Sequence, residues 1–157
     1  MIWNRSPAKA ERVAEEVGAV AVTDLEATAR KADVISCATN ATAPLIRGAW
    51  LKPGAHLDLI GSYTPDMTEA DDEALTRGAI YCDGRRRAME DSGEIIGAIA
   101  RGAITADDIV GDLTDLATGE CPGRADDRQI TVFKNAGGGH LDLMTAEILA
   151  ARAGVTS

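Results

Sequence analysis

Asn4-Arg5-Ser6 stands between a short apolar stretch, Met1 to Trp3, and Pro7, where a helical pattern begins. A neutral side chain followed by an arginine at the tip of a β-strand suits an added phosphate, because the guanidinium fork binds it and no carboxylate repels it. An acidic residue at such a tip would instead accept ribose hydroxyls. The plain alternative for these residues is a helix-capping turn with a solvated arginine. Thr39 and Asn40 follow the apolar run VISCA at its carboxyl end, where ligands bind in open α/β sheets. As generic loop residues they would need no such duty.

Other polar groups read more plainly. Asp58 interrupts the apolar strand AHLDLIG, and a buried carboxylate is costly without a partner, so a structural partner is as good a reading as a catalytic role. His56 in the same strand and His140 at the start of the last helix are packing or capping residues. Neither has a cysteine or second histidine at metal spacing, and no metal site is expected. Arg85-Arg86-Arg87 lacks interleaved aromatics and is flanked by Asp83, Glu90 and Asp91, which favours a salt-bridged helix start over a nucleic-acid patch.

These residues need a scaffold, and hydrophobic periodicity supplies one. MIWN reads as a strand fragment, followed by a helix from Pro7 that stops at Gly18, with Ala10, Val13, Ala14 and Val17 on one face. AVAV (19–22) reads as a strand and LEATARKA (25–32) as a helix. VISCAT (34–39) is apolar enough for a central parallel strand buried on both faces. Further along, the pattern predicts a short helix over 44–52, a strand over 55–61, a helix over 68–77 and a strand over 79–83. Short helices are expected over 85–91, 93–101 and 105–118, then a strand in QITVFKNAG and a last helix with the stripe Leu141, Met144, Ile148 and Ala151. Strands separated by helices of about ten residues imply right-handed crossovers and a doubly wound, mostly parallel α/β sheet.

Composition narrows the class. The 157 residues carry a net charge of -9, which repels a nucleic-acid backbone or an anionic lipid surface. No apolar run approaches the roughly 20 residues of a membrane span. Cys37, Cys82 and Cys121 form neither a disulfide nor a zinc framework, which fits a reducing, cytoplasmic setting.

In a dinucleotide-binding Rossmann sheet, the first strand ends in a glycine-rich turn and the second at the adenosine ribose. Asn4-Arg5-Ser6 has the character of the second tip and favours NADP(H), with NAD(H) the alternative. The glycine fingerprint is missing. Gly137-Gly138-Gly139 follows the final strand with no acidic residue at a strand end beyond it, and it reads as the start of a helix. The expected sheet therefore lacks its first strand, whose place is between MIWN and VISCAT. Either those neighbours close up and pair, another copy supplies a strand, or the parent protein is longer.

The strings IWNRSPAKAERVAEEVG, ADVISCATNATAPLIRGAWLKPGAHLDLIGSYTPDMTEADDEAL and ITVFKNAG resemble, in order and spacing, the ornithine cyclodeaminase/μ-crystallin family over nearly the whole chain. The resemblance implies a truncated Rossmann domain over 1–136 and, over 137–157, a helix that packs back on a substrate and dimerisation part. It implies that Asn4, Arg5 and Ser6 contact the adenosine 2′-phosphate, that Ala38, Thr39 and Asn40 border the cofactor, and that Ile60, Gly61 and Ser62 lie near the nicotinamide. Lys134 and Asn135 stand where the family's Lys-Ser pair closes over the cofactor.

True cyclodeaminases carry a VGGD-type string whose Asp manages proton traffic. Here the aligned string is Ile60-Gly61-Ser62-Tyr63, with Tyr63 in the acid's place and Asp66 three residues on. Tyr63 and Asp66 are the catalytic candidates. The implied reaction is NAD(P)H-dependent reduction of a small cyclic imino acid or ketimine. The alternatives are ornithine cyclodeamination and a non-catalytic ligand carrier or decayed fragment. A small imino or amino acid is the expected partner, and a homodimer the expected assembly of the full-length form.

Overall fold

Five short strands form one wholly parallel sheet: β1 (Val34–Cys37), β3 (His56–Leu59), β7 (Thr131–Lys134), β5 (Ala79–Cys82) and β6 (Ile109–Asp112), in that spatial order. β2 (Thr42–Ile46) and β4 (Thr68–Ala70) pair as a separate parallel ribbon. The computed structural model describes residues 1–154, and the side chain of His140, read above as a capping or packing group, lies outside the described residues.

The helices are α1 (Pro7–Val17), α2 (Leu25–Ala29), α3 (Asp72–Arg77), α4 (Arg85–Asp91), α5 (Gly93–Ala100), α6 (Leu113–Thr118) and α7 (Gly139–Arg152). In α1, Pro7 opens the first turn, and Ala10 and Ala14 bury one face. The helix ends where Gly18 turns left-handed at φ 66° and its N–H reaches back to the carbonyl oxygens of Ala14 and Glu15. The core lies against β3, β7 and β5, where Leu57, Leu59, Val132 and Cys82 are wholly buried. Each large aliphatic chain there contributes about 1.5–3 kcal/mol.

Three segments depart from the pattern read in the sequence. Residues 44–52 hold no α-helix: β2 ends at Ile46 and a 3-10 turn runs over Gly48–Trp50. The stretch from Thr68 begins as β4, and its helix starts only at Asp72, capped by the Asp71 carboxylate on the Ala74 N–H. Pairing of β2 with β4 satisfies backbone groups that an isolated helix start would leave to water. Residues 105–118 are a 3-10 turn, then β6, then α6. Ile109, Val110 and Gly111 are poor helix formers and gain a ladder against β5 instead.

The front of the sheet also differs from expectation. MIWN and AVAV contribute a single parallel bridge, Ile2 to Ala21, rather than two full strands. β1, expected at the centre, is an edge strand whose Val34 is 64% exposed. The segment at Ile2 and β1 do not close up. A groove of about 450 Å³ separates them, walled by Ile2, Trp3 and Asn4 on one side and Ile35 to Thr39 on the other, with α2 along its floor. Of the three outcomes weighed for this place, direct pairing of the flanking strands is the one the chain does not adopt.

Cys37 and Cys82 are free and buried. Burial pushes their thiols up from 9.0 to about 12 and about 11, with nearby carboxylates adding to the effect. Native-state alkylation should therefore label the partly exposed Cys121 first and reach the other two only in denaturant. The raised values also set a pH dependence. Unfolded thiols lose their protons near 9.0 while the folded ones keep them, so this contribution to stability is complete below 9.0 and is lost as pH rises towards 11 and 12. Urea midpoints measured across that window should fall with pH.

Candidate functional site

The carboxyl ends of β1, β3 and β7 lie side by side and are knitted together. Ile60 N–H donates to the Cys37 carbonyl at 2.8 Å, and Asn135 N–H to the Leu59 carbonyl at 2.9 Å. This brings three of the sequence-predicted groups to one rim: Ala38-Thr39-Asn40, Ile60-Gly61-Ser62 and Lys134-Asn135. Asn4 reaches the same groove as Ala38 and Thr39 from the opposite wall. The Asn4 side chain accepts the Ser6 N–H at 2.8 Å, and the Ser6 side chain makes no cap bond to α1. Arg5 is exposed and forms no ion pair among the described residues. At the amino end of α1 Pro7 has no N–H and the Lys9 N–H donates to the Ser6 carbonyl, which leaves the Ala8 N–H as the first-turn donor without a partner among the described residues; with the exposed Arg5 just before the helix, this end favours an anion.

At the β3 tip the side chains divide. Ile60 and Tyr63 are 42% and 58% exposed, whereas Ser62 is wholly buried. Its hydroxyl is spent on protein groups, donating to the Met67 carbonyl at 2.8 Å in the same loop and accepting the Gly93 N–H of α5 at 3.1 Å. Asp66 points to solvent and accepts Thr64 Oγ1 at 2.6 Å, a bond that holds its carboxyl below the usual range. It is thus a carboxylate at neutral pH and poorly suited to donate a proton.

Lys134 is the least expected placement. Its side chain is fully buried beneath the rim, where Nζ donates to the Leu59 carbonyl at 3.2 Å and faces Glu94 Oε2 at 3.5 Å. Burial pulls its ammonium below the ordinary lysine value, opposed by the carboxylates of Glu94 and Glu69. Glu94 Oε1 accepts the backbone N–H of Glu69. Glu69 Oε1 accepts both Thr39 N–H (2.6 Å) and Thr39 Oγ1 (2.7 Å), and Oε2 accepts Gly61 N–H at 2.7 Å. Asp83, at the neighbouring tip of β5, caps Gly84 and Ala136 through Oδ1.

Sequence reasoning missed Glu69, Glu94 and Asp83. Glu69 and Glu94 sit where acids commonly begin helices, so nothing in the local pattern marked them as buried. The close approach that creates the cluster did leave a trace. A Cβ on Gly61 would collide with the Thr39 carbonyl and the Glu69 carboxylate, and one on Gly93 with the Met67 carbonyl. Glycine at both places lets the backbones meet.

The remaining polar candidates are structural. Asp58 accepts Ser36 Oγ at 2.7 Å, and His56 Nδ1 lies 2.8 Å from Thr131 Oγ1. Arg86 and Arg87 pair along α4 with Glu90 and Asp91, and Arg85 faces Asp115. Gly137-Gly138-Gly139 leads into α7 rather than forming a phosphate loop after a first strand.

A parallel sheet with polar loops gathered at its carboxyl edge defines the nucleotide-binding α/β class. The chain belongs to the ornithine cyclodeaminase/mu-crystallin family, whose model matches residues 1–155. It is 45% identical over 154 residues to the Delta(1)-pyrroline-2-carboxylate reductase of Paracoccus denitrificans, covering 95% of this chain and 49% of that protein. It is 34% identical over 150 residues to the ketimine reductase mu-crystallin of Mus musculus, covering 94% of this chain and 45% of that protein. The Thermococcus litoralis Delta(1)-pyrroline-2-carboxylate reductase, solved with NADH and L-proline, superposes with a TM-score of 0.89 at 26% identity, covering 99% of this chain and 51% of that one. The chain spans about half the length of the curated relatives it matches.

Proposed function

We propose that this chain is the cofactor half of an NADP(H)-dependent reductase acting on a small cyclic imino acid or ketimine. One observation carries the reading: the tips of β1, β3 and β7 meet beside a groove whose far wall is Asn4. Arg5, with the uncapped start of α1, would hold the 2′-phosphate of the adenosine. Thr39 and Asn40 would border the middle of the cofactor, and Ile60 and Gly61 would face the nicotinamide. The donors present fit such a group: the Arg5 guanidinium, which forms no ion pair among the described residues, and the Ala8 N–H in the first turn of α1. When bound, the cofactor supplies the hydride that the imine carbon accepts.

What the chain itself adds is orientation and a dry, rigid floor under the rim. Tyr63, exposed at the β3 tip, is the proton-handling candidate, and the solvated carboxylate of Asp66 stands apart from it in character. The apolar residues Leu143, Met144, Ile148 and Leu149 of α7 are exposed, and we infer that this face packs on a substrate part in a homodimeric enzyme. Free, buried thiols suit a reducing cytoplasm. No helix among the described residues is long and apolar enough to cross a membrane.

Joined to a substrate part of the family, the chain should oxidise NADPH when given Delta(1)-pyrroline-2-carboxylate or a cyclic ketimine. It should leave ornithine untouched. Ammonia release from ornithine without imine reduction would carry the cyclodeaminase reading instead.

A further inference from the structure

Among the buried groups beneath the rim, Glu69 has a bonding pattern of its own. Its carboxylate is wholly buried, yet none of its direct partners is a cation: it accepts two donors of Thr39 and the N–H of Gly61. The ammonium nearest in effect, Lys134, is held by Glu94 and by the Leu59 carbonyl. One carboxylate therefore ties the loop after β1 to the loop after β3, with one oxygen for each. Its backbone is in turn tied to Glu94, and through it to α5 and β7. Charge-assisted bonds of this kind are short and directional, so they set a distance rather than merely fill space.

We propose that Glu69 is a positioning residue that fixes the separation of the Thr39 and Gly61 loops, and with it the nicotinamide side of the rim. This rests on the reading of those loops as the cofactor edge. Glu69 touches no ligand itself; it acts through the two backbones it holds. Glu69→Gln tests the idea with little change of shape. The amide keeps one acceptor oxygen but turns an NH2 donor towards a donor of Thr39 or Gly61, so one side of the clamp must open.

Two readouts on the full chain separate positioning from general stability. In amide NMR spectra, the Thr39 and Gly61 protons should lie downfield in the wild type and move upfield in Glu69→Gln, while Leu57 and Val132 keep their positions. In titrations, NADPH affinity should fall about tenfold or more, as expected for lost charge-assisted bonds. Affinity for adenosine 2′,5′-bisphosphate, which has no nicotinamide to meet the Gly61 loop, should fall clearly less.

Equal affinity of both forms for NADPH, or an equal loss for both ligands, overturns the proposal. A wild type that binds neither ligand overturns the cofactor reading itself and this role with it, and is recognised because it fails before any substitution. If Glu69→Gln does not fold, Glu69→Asp keeps the charge but shortens the arm, so that one carboxylate no longer spans both loops. It should weaken NADPH about threefold and the bisphosphate less, and no difference between the two ligands again overturns the proposal.

Discussion

Lys134→Met is expected to cost about 3–5 kcal/mol of folding stability, the range for a buried ion pair that loses one partner. The methionine fills much of the same volume, so the loss is electrostatic. It leaves Glu94 and Glu69, both wholly buried, with no ammonium between them, and it strips a donor from the Leu59 carbonyl. A domain stable by about 5–15 kcal/mol would survive, but with a much lower urea midpoint. Adding Glu94→Gln to Lys134→Met should restore a large part of that loss, since the amide oxygen can still accept the Glu69 N–H while the charge is gone. Equal midpoints for the single and double variants would show that the buried charges are not coupled in this way.

Cofactor choice gives the second large effect. In the proposed site Arg5 stands two residues before α1, with Lys9 the other cation at this end, and the Arg5 guanidinium forms no ion pair among the described residues. A charged hydrogen bond of this type is worth about 1.5–3 kcal/mol. Arg5→Ala should therefore weaken NADPH by about 10- to 100-fold and leave NADH nearly unchanged, because NADH lacks the phosphate. Arg5→Asp should go further and invert the preference, as an acid accepts ribose hydroxyls and repels phosphate. Competitive titration of the two cofactors reads this directly, and a parallel loss for both would remove Arg5 from the phosphate site. The Thermococcus relative was solved with NADH, so the titration is run with both cofactors side by side.

Much of this architecture can be read from residue order alone, and the reasons are local. Pro7, the Ala10 and Ala14 stripe and Gly18 define α1 at both ends, and the buried runs in β3 and β5 stand out by composition. The salt-bridged arginines of α4 follow from charge spacing, whereas Asp58, read as a buried carboxylate, is only half-buried in β3 and bonds the exposed Ser36 hydroxyl. What was hidden depended on distant pairing. β2, β4 and β6 are three to five residues long and each adjoins a helical turn, so helical periodicity in the flanks masked them. The same holds for the site. Asn4, Thr39 and Gly61 could be placed at strand tips from the pattern, but the clamp that joins two of them draws on positions 69, 94 and 134. No local signal links a glutamate near one helix start, another at the next, and a lysine in the last strand. Only the sheet order, which inserts β7 between β3 and β5, brings them together.

The central claim is that a nicotinamide cofactor lies across the carboxyl tips of β1, β3 and β7. Amide shift mapping of the full chain during titration with millimolar NADPH tests it most directly. The account predicts saturable shifts confined to Asn4–Ser6, Ala38–Asn40, Ile60–Ser62 and Lys134–Asn135. Shifts gathered at the amino ends of the strands or on α6, or no saturable shift at all, would contradict it.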